Sequence, residues 1–239
     1  MALTKHIPNT ITSMNLLSGT MGVICTFNGE LGLAFLLMLL AAVFDFCDGL
    51  AARLLKAYSP VGKELDSLSD MVSFGVLPGL MLVKTMQMHG ETGLVSYIPL
   101  FLVVMSALRL AKFNVDERQE TDFIGLATPS SAMICGSLCS YIYLTTDSAL
   151  HAWAGAPWFL PVLAVVLGLL LVSEIPMFGM KVKPGHKLLD TKRIVFLALA
   201  VLAVVAIAVT LRQWSLAVLA VFVIYVMENL ILCLFRRHA

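Results

Sequence analysis

Charge is what this sequence has least of. Asp, Glu, Lys and Arg make up 13% of its 239 residues, about half the ~25% usual in a soluble domain. Separate soluble domains and low-complexity tails find no support either. Zinc-type ligand sets are missing as well. The five cysteines (Cys25, Cys47, Cys135, Cys139, Cys233) fall mostly inside apolar runs. Cys135 and Cys139 share a helix face, but no matching Cys/His pair completes a site. The histidines His6, His89, His151, His186 and His238 are scattered and form no ligand pair. A net charge of +1 does not by itself decide on a nucleic-acid partner, and none is expected. No cleavable signal peptide is expected, because Lys5, His6 and Pro8 precede an apolar stretch without a clear small-residue cleavage site.

What the chain has instead is apolar length. Hydrophobic residues reach 59% and the mean hydropathy is +0.92. The runs divide into about eight candidate spans near the ~20 residues that cross a bilayer core: 11–27, 31–55, 64–88, 94–114, 128–146, 157–176, 193–210 and 214–234. The breaks carry turn chemistry, as at Asn28-Gly29-Glu30, Ser59-Pro60 and Ala156-Pro157. The expected fold class is therefore all-α, a polytopic transmembrane helix bundle. With eight spans, both termini share a side with the second, fourth and sixth connecting loops. Fourteen of the sixteen Lys and Arg fall on that side, Lys5, Arg53, Lys63, Arg109 and the run Lys181 to Arg193 among them. The other side holds Lys84 and Arg212. By the positive-inside rule the first side, with both termini, is expected in the cytoplasm.

Against this apolar background four acidic residues stand out. Asp45 and Asp48 are three apart, on one face of the second span; Asp66 and Asp70 are four apart, on one face of the third. The Ser59-Pro60 turn between them predicts antiparallel neighbouring helices whose carboxylates meet. An aspartate deep in a bilayer costs roughly 2.5–3.5 kcal/mol on insertion scales, and four together repel. Such a group persists if cations neutralise it or if it lines a wet cavity. Oxygen-only ligands suit Mg²⁺, Mn²⁺ or Ca²⁺ rather than zinc, and one or two ions fit the carboxylate count. Gly49 and Ala52 leave room beside the acids for a flat base or a sugar, although tight helix packing would also explain them. The residues alone leave other readings open: solvated helix ends, or a divalent-cation transporter. Arg53 beside the acids counts against a cation path.

The spacing D-x2-D-G-x2-A-R-x8-G-x3-D-x3-D, from Asp45 to Asp70, resembles the signature of the CDP-alcohol phosphatidyltransferase family. The resemblance covers roughly residues 5–176. It implies a six-helix core that often forms homodimers, so that residues 1–176 would be the core and 177–239 a basic cytoplasmic loop plus two added helices. It implies that Asp45, Asp48, Asp66 and Asp70 are the metal-binding residues, with Asp70 near the metal also acting as general base. It implies contacts to a CDP-linked lipid from Gly49, Arg53 and Ser59, with Ala52 and Gly62 in the same signature. Pro8-Asn9-Thr10-Ile11-Thr12 resembles the family segment that closes over the nucleotide, which brings in Asn9 and Thr12; Asn15 belongs to the same stretch. On the residues alone, Asn9 or Thr12 could equally be a helix N-cap.

Other segments point to the acceptor. Gly62 to Gly75, Arg109-Leu-Ala-Lys-Phe-Asn114, Phe123-Ile-Gly125-Leu126 and Ile175-Pro176-Met-Phe178 resemble the integral-membrane phosphatidylserine synthases within that family. This implies CDP-diacylglycerol and L-serine as substrates and a bacterial inner membrane as the setting. One departure is local: the family usually reads Gly-Leu-Pro where this chain has Gly125-Leu126-Ala127, which leaves the loop shape open. A serine carboxylate calls for Arg or Lys, so Arg109, Lys112 and Asn114 are the candidate acceptor contacts. Basic residues at helix ends also snorkel to headgroups, and glycerol 3-phosphate or inositol phosphate would want the same charge.

Overall fold

The computed structural model describes residues 6–116, 123–177, 191–210 and 213–238. Lys5, Arg118, Phe178, the basic run from Lys181 to Asp190, and Arg212 lie outside the described residues, as do the side chains of Lys192, Arg193, Arg236 and Arg237.

Helical segments follow all eight expected spans: α1 (Ile7–Phe27), α2 (Leu31–Leu54), α3 (Pro60–Asp70) continuing into α4 (Leu77–Met88), α5 (Phe101–Val115), α6 (Thr128–Leu144), α8 (Phe159–Val172), α9 (Thr191–Thr210) and α10 (Trp214–His238). A short α7 (Ala149–Ala154) precedes α8. The fold is a helical membrane bundle. Among the described residues, four stretches are long and apolar enough to cross a bilayer on those grounds alone: Leu31–Leu54, Pro60–Met88, Leu94–Val115 and Trp214–Leu234.

Local sequence explains the ends that matter for the site. Gly29, at φ +83°, makes the turn from α1 into α2. At the far end of α2 the chain leaves through Lys56, at φ +49°. The Ala57 N–H reaches back to the Ala52 carbonyl at 3.0 Å, closing a Schellman-type turn. Ser59 then caps α3, its Oγ accepting from the Gly62 N–H at 3.0 Å, with Pro60 in the first turn.

The third span is not one regular helix. Directly after Asp70 the backbone widens into a π-helical turn, Met71–Val76, before α4 resumes. Such turns rephase a helix, so the face carrying Asp66 and Asp70 need not follow the face that α4 buries. The fourth span opens with a 3-10 stretch, Leu94–Leu100, which contains Pro99.

Two expectations need correction. Neither Asn9 nor Thr12 is an N-cap: α1 starts at Ile7 behind His6, with Pro8 in the first turn, where its missing N–H costs nothing. Both residues therefore sit inside the helix. The second and third spans are also not simple neighbours. Their direct packing is slight, and α1 packs against both α2 and α3. The reason lies in α1, whose buried face holds Thr12, Asn15, Ser18 and Gly19. Ser18 Oγ donates to the Leu37 carbonyl of α2 at 2.8 Å. Ser69 Oγ donates to the Thr12 carbonyl and, from the π turn, Ser73 Oγ donates to the Asn15 carbonyl, at 3.3 and 3.2 Å. Hydroxyl-to-carbonyl bonds of this kind join helices where no water competes.

The C-terminal pair is attached to the bundle. α10 packs against α6 and α9, and Trp214 stacks on Phe35 of α2, centroids 5.3 Å apart and rings 7° from parallel. A minimal antiparallel pairing, Phe123–Ile124 with Pro176–Met177, ties the entrance of α6 to the exit of α8. Gly125 at φ +78° makes that junction, its N–H on the Ile175 carbonyl at 2.9 Å. A Cβ there would sit 2.6 Å from the Leu171 carbonyl oxygen. Gly125→Ala should therefore cost at least the ~1–2 kcal/mol of a left-handed L-residue, seen as a lower unfolding temperature of the detergent-solubilised protein. An unchanged midpoint would contradict this account of the turn. Ala127 takes φ −69°, an angle proline would also adopt, so the departure from Gly-Leu-Pro leaves a compatible backbone.

Candidate functional site

The four aspartates converge. Carboxylate oxygens of Asp45, Asp48 and Asp66 lie within 4.8 Å of one another. Asp70 adjoins this trio, within electrostatic reach of Asp45 and Asp66. Asp48 is buried, 6% exposed, and its Oδ2 is enclosed without a hydrogen-bond partner. A shielded carboxylate oxygen with nothing to bind is costly, as are several like charges together. A divalent cation answers both costs, and the oxygen-only donor set fits Mg²⁺, Mn²⁺ or Ca²⁺. The cluster can thus hold the divalent metal that the family signature implies.

Beside the cluster a cleft of about 220 Å³ opens between the start of α1, the end of α2 and the start of α3. Asp48 and Asp66 form one side of it. Asn9 and Thr12 from α1, Gly49 and Ala52 from α2, and Ser59 and Gly62 from the turn into α3 complete the lining that the sequence anticipates. Gly62 is constrained: a Cβ would stand 2.9 Å from Asn9 Oδ1 and 3.0 Å from Ser59 Oγ. Gly49 is different, since a Cβ there would meet only Arg53 Nη2, at 3.8 Å. Its missing side chain leaves open space rather than permitting close packing.

Arg53 is not part of the lining. Its guanidinium folds back along α2, with Nε donating to the Gly49 carbonyl at 3.0 Å, and it is exposed. The three candidate acceptor contacts also separate. Arg109 is buried, 7% exposed, lies over the Phe113 ring at 4.9 Å and is within electrostatic reach of Asp70. Asn114 instead latches α5 to α3: its Nδ2 donates to Ser67 Oγ at 2.8 Å, and its carbonyl accepts from Lys63 Nζ at 3.0 Å. Lys112, on the same helix, is half-buried.

The sequence reading missed several cleft residues, namely Ala57, Tyr58 and Lys63. It also left Asn15 without a role. Asn15 is fully buried, and its Nδ2 donates to Asp70 Oδ1 at 3.3 Å. A signal was available. Thr12, Asn15, Ser18, Gly19 and Gly22 recur at helical spacing, which marks a small and polar stripe along one face of α1.

Comparison with known proteins identifies the family. The CDP-alcohol phosphatidyltransferase family model matches residues 5–172. The chain is similar to the CDP-diacylglycerol–serine O-phosphatidyltransferase of Mycobacterium tuberculosis (strain ATCC 25618 / H37Rv), 31% identical over 217 residues, which cover 88% of this chain and 72% of the relative. It is 33% identical over 139 residues to the Bacillus subtilis protein of the same name, covering 58% and 77%. It is also 33% identical over 141 residues to the archaetidylserine synthase of Methanothermobacter thermautotrophicus, covering 58% of each.

Proposed function

The chain belongs to the CDP-alcohol phosphatidyltransferase family, and from that premise we propose that it transfers the phosphatidyl group of CDP-diacylglycerol to L-serine, giving phosphatidylserine and CMP. The observation that carries this reading is the meeting of Asp45, Asp48 and Asp66 beside the cleft between α1, α2 and α3, with Asp70 alongside. Serine is favoured among acceptors because the relatives just described, from bacteria and an archaeon, are named for serine, whichever lipid they carry.

In this reading Asn9, Thr12, Gly49, Ala52, Ser59 and Gly62 receive the cytidine nucleotide, with the acyl chains in the surrounding lipid. Asp45, Asp48 and Asp66 hold the divalent cation, Mg²⁺ or Mn²⁺. When bound, that cation supplies electrostatic stabilisation for the charge that builds on the phosphoryl oxygens and on the departing CMP. Arg109 pairs with the serine carboxylate, a charge-assisted contact strengthened by its burial. Asp70 takes the proton from the serine hydroxyl as that oxygen forms its bond to the lipid-side phosphorus. The bond from that phosphorus to the CMP oxygen breaks. The chain is an integral membrane protein, and the charge asymmetry of its loops supports a cytoplasmic site.

The deciding experiment supplies purified protein with CDP-diacylglycerol and either L-serine, glycerol 3-phosphate or inositol phosphate, and follows CMP release. Serine is expected to be turned over at least ~10-fold faster than the others, a difference of ~1.4 kcal/mol in the barrier. Release that depends on glycerol 3-phosphate or inositol phosphate would replace the acceptor while leaving the reaction class intact. Cation flux in liposomes lacking CDP-lipid would replace the class.

A further inference from the structure

At the end of the bundle away from the aspartates, two histidines meet. His89 follows α4 as its C-cap, roughly 25–30 Å along the third span from Asp70 at ~1.5 Å per residue. His151 lies in α7, between α6 and α8. Sequence spacing makes no pair of them, yet the fold brings their rings to 4.6 Å between centroids, tilted by 54°. Each ring is oriented by the same device. His89 Nδ1 lies 2.8 Å from the Thr85 carbonyl, and His151 Nδ1 lies 3.0 Å from the Ile142 carbonyl. A carbonyl oxygen only accepts, so both Nδ1 atoms carry the proton, and each neutral ring has its lone pair on Nε2. His151 is held at the backbone too: its N–H donates to Ser148 Oγ at 3.1 Å, and that hydroxyl donates to the Thr145 carbonyl at 3.0 Å. His89 Nε2 is enclosed and has no hydrogen-bond partner among the described residues. A shielded acceptor of this kind is costly unless something binds it.

We propose that His89 and His151 form a second metal site, for a transition-metal ion of the Zn²⁺ type, bound through the two Nε2 atoms with water in the remaining positions. A ligating histidine characteristically donates its other ring N–H to a backbone carbonyl or a carboxylate, which fixes the tautomer and aims the lone pair. Both rings here do so. The separation also fits: with metal–nitrogen bonds of ~2.0–2.1 Å, two imidazoles on one tetrahedral ion stand with centroids about 5 Å apart. Stacking accounts for the contact of the rings, but not for the enclosed Nε2 or for two rings turned the same way by backbone carbonyls. Donor chemistry separates this site from the aspartate cluster. Imidazole nitrogens suit Zn²⁺, whereas all-carboxylate sets suit Mg²⁺ or Mn²⁺. α7 packs on α6 and α8, so an ion shared by the two rings ties it to the end of α4 as well. The site stands independently of the proposed reaction and its acceptor.

The test uses the full-length, untagged protein in detergent with saturating Mg²⁺, and Zn²⁺ as the probe. Wild-type protein should bind Zn²⁺ in a calorimetric titration and melt higher with it than without, as expected of a ligand of the folded state. His89→Gln and His151→Gln remove one ligand each. Melting curves in Mg²⁺ alone identify which of them is folded. In a folded variant Zn²⁺ affinity is expected to fall by more than ~100-fold, beyond the 10–100-fold that loss of an outer-shell partner costs. Asp66→Ala should retain one Zn²⁺ per chain, which separates the two sites. Mg²⁺-dependent CMP release by the folded histidine variants should match wild type. Co²⁺ supplies a reading on the unaltered chain: it should give the visible absorption of a nitrogen-coordinated ion, and Zn²⁺ should abolish it. Absence of Zn²⁺ binding by wild type overturns the proposal, as does undiminished binding by folded His89→Gln or His151→Gln. So does Zn²⁺ binding that disappears in Asp66→Ala, where both histidines remain. If neither histidine variant folds, a Co²⁺ spectrum without nitrogen coordination overturns it.

Discussion

Asp70→Asn is expected to lower CMP release by about 10²–10⁴-fold, the usual worth of a general base, while CDP-diacylglycerol still binds. The substitution is close to isosteric, so the backbone hydroxyl bonds from Ser69 and Ser73 to α1 should persist. The Asn15 amide can still donate to the new carbonyl oxygen. What disappears is an oxygen able to take a proton. Binding should survive because Asp70 lies neither in the close trio nor in the cleft lining. The variant should also fold, since it removes one negative charge from a crowded group. Direct titration with CDP-diacylglycerol beside a single-turnover assay checks both halves. A variant that turned over near the wild-type rate would end the base assignment; one that no longer bound the lipid would move Asp70 into the binding site instead.

Much of this site was legible before any coordinates. Intramembrane aspartates are costly enough that three-residue and four-residue spacings within adjoining spans carry information, and Asp45, Asp48, Asp66 and Asp70 do converge. The length of the apolar runs also located the segments, because runs broken by Asn28-Gly29 and Ser59-Pro60 leave few alternatives. What the pattern could not convey was the π-helical turn after Asp70. A π turn inserts one residue into the phase of a helix, and nothing in Met71-Val-Ser-Phe-Gly-Val76 announces it. The second and third spans do bring their carboxylates together, but most of their packing is against α1 rather than each other, for a related reason. A short connecting turn sets sequence proximity, but the buried hydroxyls and small residues of α1 place that helix against both of them.

Side-chain direction was the other gap. Arg53, Lys112 and Asn114 carry the right chemistry in the right segments, yet helical spacing cannot say where a long side chain ends. Arg53 turns back onto its own helix and Asn114 is committed to Ser67. Arg109 is buried near Asp70. Arg53 stands in the family signature, and Arg109, Lys112 and Asn114 were grouped by their position in one segment and the charge a serine carboxylate calls for. Their contacts set Arg109, a buried cation within electrostatic reach of Asp70, apart from Arg53 and Asn114, whose polar groups serve bonds to the backbone or between helices, and from the half-buried Lys112.

Asp66→Ala and Asp48→Ala should behave differently from Asp70→Asn, and the difference discriminates ligands from base. Each removes an oxygen from the close trio and a wall of the cleft. Turnover should fall by at least ~10²-fold, the scale for losing one electrostatic stabiliser of the transition state, and CDP-diacylglycerol affinity should fall with it. EDTA should do the same to the wild-type protein, reversibly on addition of Mg²⁺ or Mn²⁺. Unfolding temperature gives an independent reading. Cation binding to the folded state alone stabilises it, by ~2.7 kcal/mol at a hundredfold excess over Kd. Wild-type protein should therefore melt higher with Mg²⁺ than with EDTA, and that gap should close in both alanine variants. The sign in EDTA is informative too. With no cation present, removing a carboxylate relieves repulsion among buried like charges, so metal-free Asp66→Ala should be no less stable than metal-free wild type. A variant that instead melted well below wild type in EDTA would mean that Asp66 supports the bundle by itself. A Mg²⁺-dependent gap that survived the substitution would place the cation on other residues.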